Sequence, residues 1–591
     1  MYNITLHILY TIHFSRSTRP NVVFILTDDQ DARLGSLSHM PLVRRHLAER
    51  GTTFEKHYCT TALCCPSRVN LWTGKAPHNT NVTDVVPPYG GYPKFVAQGF
   101  NDDYLPVWLQ REGYNTYYTG KLFNAHTVQN YNKPYPGGFT GSDFLLDPHT
   151  YDYLNSTFQR NDEEPRSYEG EYSTDVLAEK AYGFLEDAVR DLESENKPFF
   201  LTVAPIGPHS NVAVKPAAPG EALSAVFSEP ISAERHKHLF KNVKVPRTEN
   251  FNPEQPSGAN WVLDLPRQNE SNVEYNDHYY RQRLRALQAV DELVDGLVTR
   301  LEEHGILDNT YVVYSSDNGF HVGQHRLQPG KTCGYEEDIN VPLIVRGPGV
   351  AINHSTDIVT SHTDLAPTFL QLLGAPLRND FDGRPIPVTK ADIEMAEQGR
   401  RREHANVEYW GVALTEGLHQ PMYRQNNTYK AVRLYGPDYN LYYSVWCNNE
   451  HELYDMMVDP GQMNNLLAPA KSDDSGSLLP VNVNVNGTPL LIAGVPVEKV
   501  ASRLDALLFV LKSCRGEACR EPWQQLHGHN DDVRSLADAL DPRFDELYSA
   551  KQGRVRYEYC ADGYLVDAEG PMWEGRGPEL MRDGVRWEDW V

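Results

Sequence analysis

Polar side chains follow four of the apolar segments that we predict to be strands. In chain order they are Asp28 and Asp29, Lys121, His209, and Asp317 with Asn318. Because open α/β sheets bind ligands beyond the carboxyl ends of their strands, we expect these groups to converge. The side-chain oxygen atoms of the pairs Asp28-Asp29 and Asp317-Asn318 suit Ca²⁺ or Mg²⁺ better than zinc. Each pair alone would also fit a turn or a helix cap, so this interpretation depends on their recurrence at matching strand ends.

A cysteine stands just before a helix that we predict to open at Pro66, since proline suits the first turn of a helix. Backbone N–H groups at such a terminus favour a negative group or a bound oxyanion beside Cys64. Arg68 is near enough in the sequence to reach the same place with a guanidinium fork that suits anions. Taken in isolation, Cys64 fits a buried structural thiol, or a disulfide with Cys59 or Cys65, better than a reactive group.

The elements that must position these groups alternate between strand and helix. Predicted strands cover residues 21–27, 114–119, 198–204, 311–314 and 341–345, and predicted helices cover 42–49, 103–111 and 280–303. The polar segments 134–172 and 212–277 are predicted to be long loops or insertions. The alternation favours an α/β fold in which a mostly parallel sheet is covered by helices.

The pattern of predicted strands and helices changes after about residue 388. Strands are predicted at 428–434 and 440–446, and a helix at 497–512, as in a small α+β unit. We therefore divide the chain into three parts. These are a weakly signal-like or disordered N-terminus (1–18), a main domain that carries the candidate site (19–388), and a C-terminal α+β subdomain with a tail (389–591).

The composition limits the classes of partner. The 591 residues include 55 Lys and Arg against 79 Asp and Glu, a net charge of −24, which argues against nucleic acid as a partner. A site for an anionic substrate must therefore carry enough local positive charge to outweigh the negative potential of the whole protein. No run of apolar residues approaches the length that a membrane span needs, so no membrane span is predicted. Among the eight cysteines, Cys447, Cys514, Cys519 and Cys560 could pair, but their connectivity cannot be deduced.

Export is favoured by sequons for N-glycosylation and weakened by a poor signal peptide. The sequons begin at Asn3, Asn81, Asn155, Asn269, Asn353, Asn426 and Asn486. Near the N-terminus, His7 and His13 interrupt a weakly apolar stretch that no basic segment precedes. We expect a secreted protein, or one in the secretory or vacuolar pathway.

Residues 64–74 read Cys-Cys-Pro-Ser-Arg-Val-Asn-Leu-Trp-Thr-Gly, which resembles the signature Cys-x-Pro-Ser-Arg followed by Thr-Gly of the type I sulfatases, in the alkaline-phosphatase superfamily. The resemblance extends over roughly residues 19–470, through Arg19-Pro20-Asn21, Asp28-Asp29-Gln30, Thr119-Gly120-Lys121, Ser316-Asp317-Asn318-Gly319, Gly330-Lys331, Val341-Pro342-Leu343, Gly347-Pro348-Gly349 and Glu452-Leu453-Tyr454-Asp455. It implies a large mixed sheet sandwiched by helices, with a smaller C-terminal α+β subdomain. The run Gly120-Lys121-Leu122-Phe123-Asn124 is similar to fungal arylsulfatases and N-acetylglucosamine-6-sulfatases.

The resemblance also implies roles for individual residues. A formylglycine-generating or equivalent maturation enzyme would oxidise Cys64 to formylglycine, whose hydrate is the nucleophile, while Cys65 occupies the variable position of the motif. The implied ligands of one Ca²⁺ are Asp28, Asp29, Asp317, Asn318 and the oxygen at position 64. Arg68 would steady the hydrate, and the implied contacts to the sulfate or the leaving oxygen are Lys121, His209 and Lys331.

The implied reaction is hydrolysis of a sulfated small molecule or glycan, by an arylsulfatase or an N-acetylglucosamine-6-sulfatase type of enzyme. Negative charge grows on the bridging oxygen as the S–O bond breaks, and Ca²⁺ with two lysines would counter it. Asp317 could take the proton of the attacking hydroxyl, and the second hydroxyl of the hydrate would then expel sulfate. A phosphatase or phosphodiesterase of the superfamily is disfavoured, because those enzymes usually carry Ser or Thr and histidine-rich two-metal sites. The complete set of site residues argues against a binding-only relative.

The sequence departs from the family pattern at one position. Many members have histidine where this chain has Phe123, and we consider His126 as a substitute or a surface residue. His321 and His325 could line the substrate pocket or cap loops. For His362 and Asp364, just before a predicted helix, we favour a capping and supporting role.

Overall fold

The computed structural model describes residues 19–215, 224–399, 402–419, 421–468, 490–527, 532–551 and 553–574. The predicted N-terminal segment 1–18 and the sequons at Asn3 and Asn486 lie outside these ranges. None of the helices within them has both the length and the apolar character that crossing a lipid bilayer demands.

The core is a mixed sheet of ten strands. In spatial order they are His354–Thr356, Thr52–Phe54, Leu343–Arg346, Thr310–Ser316, Asn21–Thr27, Phe199–Ala204, Asn115–Lys121, Gly141–Leu145, Asn155–Arg160 and Arg166–Glu169. The five central strands, from Thr310–Ser316 to Gly141–Leu145, run parallel, and antiparallel strands flank them. The carboxyl ends of the central strands therefore meet at one edge of the sheet, where polar residues were predicted to converge.

Helices cover both faces of this large sheet, which explains its nearly continuous apolar strands. The longer ones are Cys64–Thr73, Gly91–Ala97, Leu105–Arg111, Ser173–Glu195, Glu270–Glu303, Leu365–Leu372 and Lys390–Gln398, and the shorter ones are Pro41–His46, Pro77–Thr80 and Glu336–Ile339. Alternate residues of the first strand serve the two cores. Phe24 belongs to the core that contains Trp72 and Phe369 on one face, and Ile25 belongs to the core that contains Val290 on the other.

The C-terminal unit is built on a smaller antiparallel sheet. Its strands, in spatial order, are His404–Tyr409, Tyr429–Gly436, Tyr439–Trp446 and His451–Asp455. The helix Val497–Leu511 packs on one face of it, followed by the short helices Glu517–Arg520, Pro522–His527 and Leu536–Ala539. Disulfides join Cys447 to Cys560 and Cys514 to Cys519, which resolves the pairing that the sequence left open. The predicted fold class, a large mixed sheet between helices with a smaller C-terminal α+β unit, is confirmed.

Short two-stranded pairings lie outside the two larger sheets. They join Asn211–Lys215 with Ser224–Ser228, His57–Tyr58 with Thr360–Ser361, Ala413–Leu414 with Tyr423–Arg424, and Leu491–Ile492 with Val495–Pro496. The strands Ala413–Leu414 and Tyr423–Arg424 are called the 413–424 hairpin below.

Three predictions about local structure were wrong. The segment 134–172 contributes three strands to the large sheet, and the segment 212–277 contains most of the strand Asn211–Lys215, the strand Ser224–Ser228 and the start of a helix. The helix predicted from residue 280 begins at Glu270, because its first turns bury polar side chains such as Asn276 and so lack an apolar period. The helix Ser173–Glu195 was not predicted at all.

Candidate active site

The first strand ends in two buried aspartates, Asp28 and Asp29. Parallel pairing of Thr27 with Ser316 places Asp317 beside them, and the backbone N–H of Asp29 donates to Asp317 Oδ1 over 3.1 Å. Asp29 has a φ of 65°, a left-handed conformation that is uncommon for a residue with a side chain. Such local strain is typical of functional sites, where the surrounding structure holds it in place.

A neighbouring strand delivers Lys121 to the same edge. Gly120 before it has a φ of 107°, and a Cβ there would lie 2.1 Å from the carbonyl oxygen of Ala204, so only glycine fits. Lys121 Nζ donates to Asp28 Oδ2 over 2.6 Å and lies 4.7 Å from the ring centre of Tyr151. Burial would lower the pKa of Lys121, but the Asp28 carboxylate raises it above its ordinary value. The lysine is therefore held as a cation.

The helix that begins at Cys64 is buried along its whole length and ends at Gly74 in a left-handed cap. Cys64 Sγ lies 3.5 Å from Asp28 Oδ1 and 3.9 Å from Asp29 Oδ1, and Lys331 Nζ lies 3.1 Å from the sulfur. Burial raises the pKa of Cys64 well above its ordinary value, although the two nearby lysines oppose it. An unmodified Cys64 is thus a neutral thiol, which is a weak nucleophile.

Arg68 lies one turn further along this helix and joins two strand ends. Its Nε donates to Asp317 Oδ2 over 2.8 Å, and one terminal nitrogen donates to the carbonyl oxygen of Lys121 over 2.6 Å. The other terminal nitrogen lies 3.5 Å from Asp28 Oδ2 and is buried without a hydrogen bond. A buried donor without an acceptor is costly, so this nitrogen is available for an anionic group at position 64.

Lys331 and Glu416 form a further buried ion pair at the site. Lys331 Nζ donates to Asp29 Oδ1 over 2.6 Å and lies 3.4 Å from Glu416 Oε1. Glu416 belongs to the connection of the 413–424 hairpin in the C-terminal unit, and its other oxygen accepts from Ser210 Oγ over 2.9 Å. Glu416 could not be predicted from the sequence, because a single glutamate in a polar segment carries no motif.

His209 presents one ring nitrogen to the carboxylates. Its Nδ1 lies 2.7 Å from the carbonyl oxygen of Ser210, which can only accept, so Nδ1 carries the proton of the neutral ring. Nε2 lies 3.6 Å from Asp29 Oδ2, and the ring stacks on Tyr151 with centroids 4.0 Å apart. The stacking and the Nδ1 bond fix the ring, which leaves Nε2 free to exchange a proton.

The donor set at this edge of the sheet fits a hard cation. Ligand atoms of Asp28, Asp29, Cys64 and His209 all lie within 4.8 Å of one another. Asp29 Oδ2 and Asn318 Oδ1 are buried without a hydrogen-bond partner. Burial would raise the pKa of Asp28 and Asp29, yet nearby cations, chiefly Lys121 and Lys331 respectively, hold both below their ordinary values. Ionised carboxylate and amide oxygens without partners are the ligands that Ca²⁺ prefers.

Two of the further histidines lie in the same region as Lys331. His321 Nδ1 bonds Asp338 Oδ1 over 2.8 Å, and its backbone pairs with Gly330, next to Lys331. His325 stacks on Tyr335 with centroids 4.0 Å apart, and burial lowers its pKa to about 3. His325 is therefore a neutral packing residue, whereas His321 supports the segment that carries Lys331.

His362 and Asp364 support the helix of Cys64 and the helix that follows them. His362 Nδ1 lies 2.7 Å from Ser67 Oγ, and burial lowers the pKa of His362 to about 4. Asp364 forms a capping box with Ser361. These contacts agree with the capping and supporting role expected from the sequence.

His126 is not brought to the carboxylates. It lies buried between the rings of Tyr92 and Phe144, with centroids 4.5 Å and 5.5 Å away, and burial lowers its pKa to about 4.

We expect His126→Ala to keep its kcat within about threefold of the parent, while losing about 2 kcal/mol of stability to the cavity it leaves. Steady-state kinetics and thermal unfolding check this, and a loss of kcat of about a hundredfold in a folded variant would place His126 in the mechanism.

Comparisons with known proteins agree with this fold. The sulfatase family model matches residues 20–375, and the N-sulphoglucosamine sulphohydrolase C-terminal model matches residues 323–479. An arylsulfatase of Volvox carteri is 38% identical over 562 residues, covering 92% of this chain and 82% of that protein. An N-acetylglucosamine-6-sulfatase of Capra hircus is 31% identical over 551 residues, covering 88% of each. A solved structure described as a complex with its substrate D-glucosamine-2-N,6-O-disulfate aligns with a TM-score of 0.59 at 24% identity, covering 76% of this chain and 93% of that one.

A mixed sheet that gathers carboxylates, lysines and an arginine around a buried cysteine defines a hydrolase of the alkaline-phosphatase superfamily. Within that superfamily, the chain belongs to the sulfatase family and is a sulfatase.

Proposed function

We propose that this sulfatase is a Ca²⁺-dependent sulfuric ester hydrolase of the arylsulfatase type, whose nucleophile is formylglycine made from Cys64 by a maturation enzyme. The observation that carries the proposal is the position of Cys64 Sγ, within 3.9 Å of two aspartates and 3.1 Å from Lys331. A thiol held protonated there is a poor reagent, so an oxidised form of the residue accounts for the site better. The likeness to the Volvox carteri arylsulfatase supports the same activity.

The two groups added to the chain would supply different chemistry. Asp28, Asp29, Asp317 and Asn318 would hold Ca²⁺, which would supply positive charge against the anionic substrate. Formylglycine at position 64 would supply, as its hydrate, an oxygen nucleophile and a second hydroxyl through which sulfate can leave.

The cations of the chain itself bind and orient the sulfate group. Lys121 pairs with Asp28 and Lys331 pairs with Asp29, each over 2.6 Å. Arg68 offers a buried donor without a hydrogen bond next to position 64. These donors are already fixed and water is largely excluded, so they stabilise charge that develops in the transition state without having to reorganise. Glu416 Oε1, 3.4 Å from Lys331 Nζ, gives this lysine a second carboxylate partner.

Proton transfer to the leaving oxygen falls to His209 in this proposal. Its Nδ1 proton is committed to the carbonyl oxygen of Ser210, so a proton taken up at Nε2 is the one that can be donated. Nε2 faces two carboxylates, with Asp29 Oδ2 3.6 Å and Glu416 Oε2 3.9 Å away. Asp317, whose oxygens already accept from Arg68 and the backbone, is the proposed acceptor for the proton of the nucleophile.

The natural substrate is proposed only as a class. A sulfated small molecule with an aryl leaving group fits the arylsulfatase relative, and a glycan sulfate fits the N-acetylglucosamine-6-sulfatase relative, which makes a glycan sulfatase the alternative. The two disulfides support the further proposal that the protein acts outside the cell or in the secretory or vacuolar pathway, since disulfides persist in oxidising compartments.

A direct comparison of substrates tests the proposed reaction. We expect the matured enzyme to hydrolyse 4-nitrophenyl sulfate with a kcat/KM at least roughly a hundredfold above that for 4-nitrophenyl phosphate, because the site is built for one metal ion and a monoanionic ester. Both substrates release the same phenol, so the assay and the leaving group are identical. Faster cleavage of the phosphate by orders of magnitude would replace the proposal with a phosphatase.

A further inference from the structure

A pocket of about 540 Å³ lies beside the site and has an unusual charge for this protein. Its lining includes Arg267, Arg326 and Arg424 and contains no aspartate or glutamate among the described residues. The chain as a whole carries 79 acidic against 55 basic residues. A basic pocket on an acidic protein concentrates anions locally, while the rest of the surface repels them.

Two chain segments that line the pocket also carry residues of the site. Gln328 lines it and stands three positions before Lys331 in the same segment. Met422, also in the lining, exchanges hydrogen bonds with Thr415, which directly precedes Glu416. Thr415 in turn pairs with Gly330, next to Lys331. The segment 328–331 and the 413–424 hairpin therefore connect the lining of the pocket to the residues of the site.

The three arginines differ in the hydrogen bonds and ion pairs that their guanidinium groups already form. Arg326 donates to the carbonyl oxygens of Pro253, Glu254 and Leu265, which fixes the guanidinium in the wall. Arg267 has an exposed partner in the Glu254 carboxylate at 3.8 Å, a pair that solvent screens. Arg424 is exposed and forms no ion pair with any residue that the structure describes. Arg267 and Arg424 are thus the charges that a ligand can recruit.

A buried acceptor in the same pocket indicates that the ligand is more than a simple anion. Gln328 is 8% exposed, and its Oε1 is buried without a hydrogen-bond partner. An acceptor cannot bind a sulfate oxygen, but it can accept from a sugar hydroxyl or an amide N–H. Arginines that suit sulfate or carboxylate, next to an acceptor that suits hydroxyl, match the chemistry of a sulfated sugar chain.

We propose that this pocket binds a second anionic sugar residue of a sulfated glycan whose scissile sulfate lies at position 64. The inference rests on the proposed function, and it assigns that site an extended polyanionic substrate rather than a small aryl sulfate alone. Arg267 and Arg424 bind the sulfate or carboxylate of the neighbouring sugar, and Gln328 accepts from one of its hydroxyl groups.

The test uses the double variant Arg267→Gln/Arg424→Gln and a heparin-derived tetrasaccharide as the probe. The parent protein and the double variant are both prepared in a host that does not glycosylate Asn269, because this residue also lines the pocket. We expect the inhibition constant of the tetrasaccharide against 4-nitrophenyl sulfate hydrolysis to rise roughly tenfold in the double variant, with kcat and KM for the aryl sulfate unchanged. The control Arg543→Gln removes an arginine that is 63% exposed in the C-terminal unit, outside the pocket lining, and should change neither value.

Two outcomes would overturn the inference. One is an inhibition constant that the double variant leaves unchanged, and the other is equally strong inhibition by the chemically desulfated tetrasaccharide. If the parent protein has no activity on the aryl sulfate, calorimetric binding of the tetrasaccharide to the same variants gives a separate answer. Binding that is roughly tenfold weaker in the double variant would then support the pocket even though the proposed function had failed, and equal binding would reject it.

Discussion

Cys64→Ser is expected to lose steady-state turnover of an aryl sulfate by roughly ten-thousandfold or more, whereas Cys65→Ser keeps most of it. Serine at position 64 has one hydroxyl and no aldehyde, so a sulfate transferred to it would have no second hydroxyl to expel it. Cys64 Sγ lies 3.1 Å from Lys331 Nζ, but Cys65, the next residue of the same helix, is fully buried in the apolar core. Burial raises the pKa of Cys65 to about 12.

The Cys65 variant is the matched control, since it makes the same chemical change one residue away. It should cost about 1–3 kcal/mol of stability, because it places a hydroxyl in an apolar core. Thermal unfolding of both variants separates this cost from loss of the nucleophile. Sustained turnover by Cys64→Ser, or loss of activity in a folded Cys65→Ser protein, would contradict the assignment of Cys64.

Removing Ca²⁺ is expected to have the second largest effect, abolishing turnover and lowering the unfolding temperature. Three carboxylates and Asn318 meet at the strand ends, and two oxygen atoms there are buried without partners. An ion that binds only the folded state stabilises it by about 2.7 kcal/mol at a concentration about one hundred times its Kd. Calorimetric unfolding with chelator and with added Ca²⁺ measures this shift. Asp29→Asn should remove most of the shift together with the activity.

A control for this variant lies in the same large sheet. Asp143 is buried and pairs with Lys180 over 2.7 Å, much as Asp29 pairs with Lys331, but it lies outside the site. Asp143→Asn should lower the stability and leave the response to Ca²⁺ unchanged. A parent protein whose unfolding temperature and turnover ignore both chelator and Ca²⁺ would rule out the proposed ion.

Most of the groups at the candidate site could be predicted because they follow a strand or lie at the start of a helix with a strong local pattern. Asp28 and Lys121 stand at the carboxyl ends of parallel strands, where the fold dictates convergence. The family motif then favoured Cys64 as the precursor of the nucleophile over a structural thiol. His126 shows the limit of the same reasoning, because its sequence position near Lys121 says nothing of the aromatic rings that enclose it.

Features that depend on tertiary contacts between distant segments could not be predicted. Glu416 reaches Lys331 because a hairpin of the C-terminal unit pairs with Gly330, and no local pattern encodes that docking. The first turns of the helix from Glu270 were missed because polar side chains fill their buried face. Apolar periodicity identifies elements that pack against hydrocarbon, and it fails where hydrogen bonds replace that packing.

The mass of the peptide that contains Cys64, taken from protein made in its native host, tests the central claim most directly. Because Cys64 and Cys65 are adjacent, fragmentation of the peptide is needed to assign any change to one of them. We expect an aldehyde at position 64, which a hydrazine reagent labels, and an unmodified thiol at position 65. An unmodified thiol at position 64 in fully active enzyme would contradict that claim.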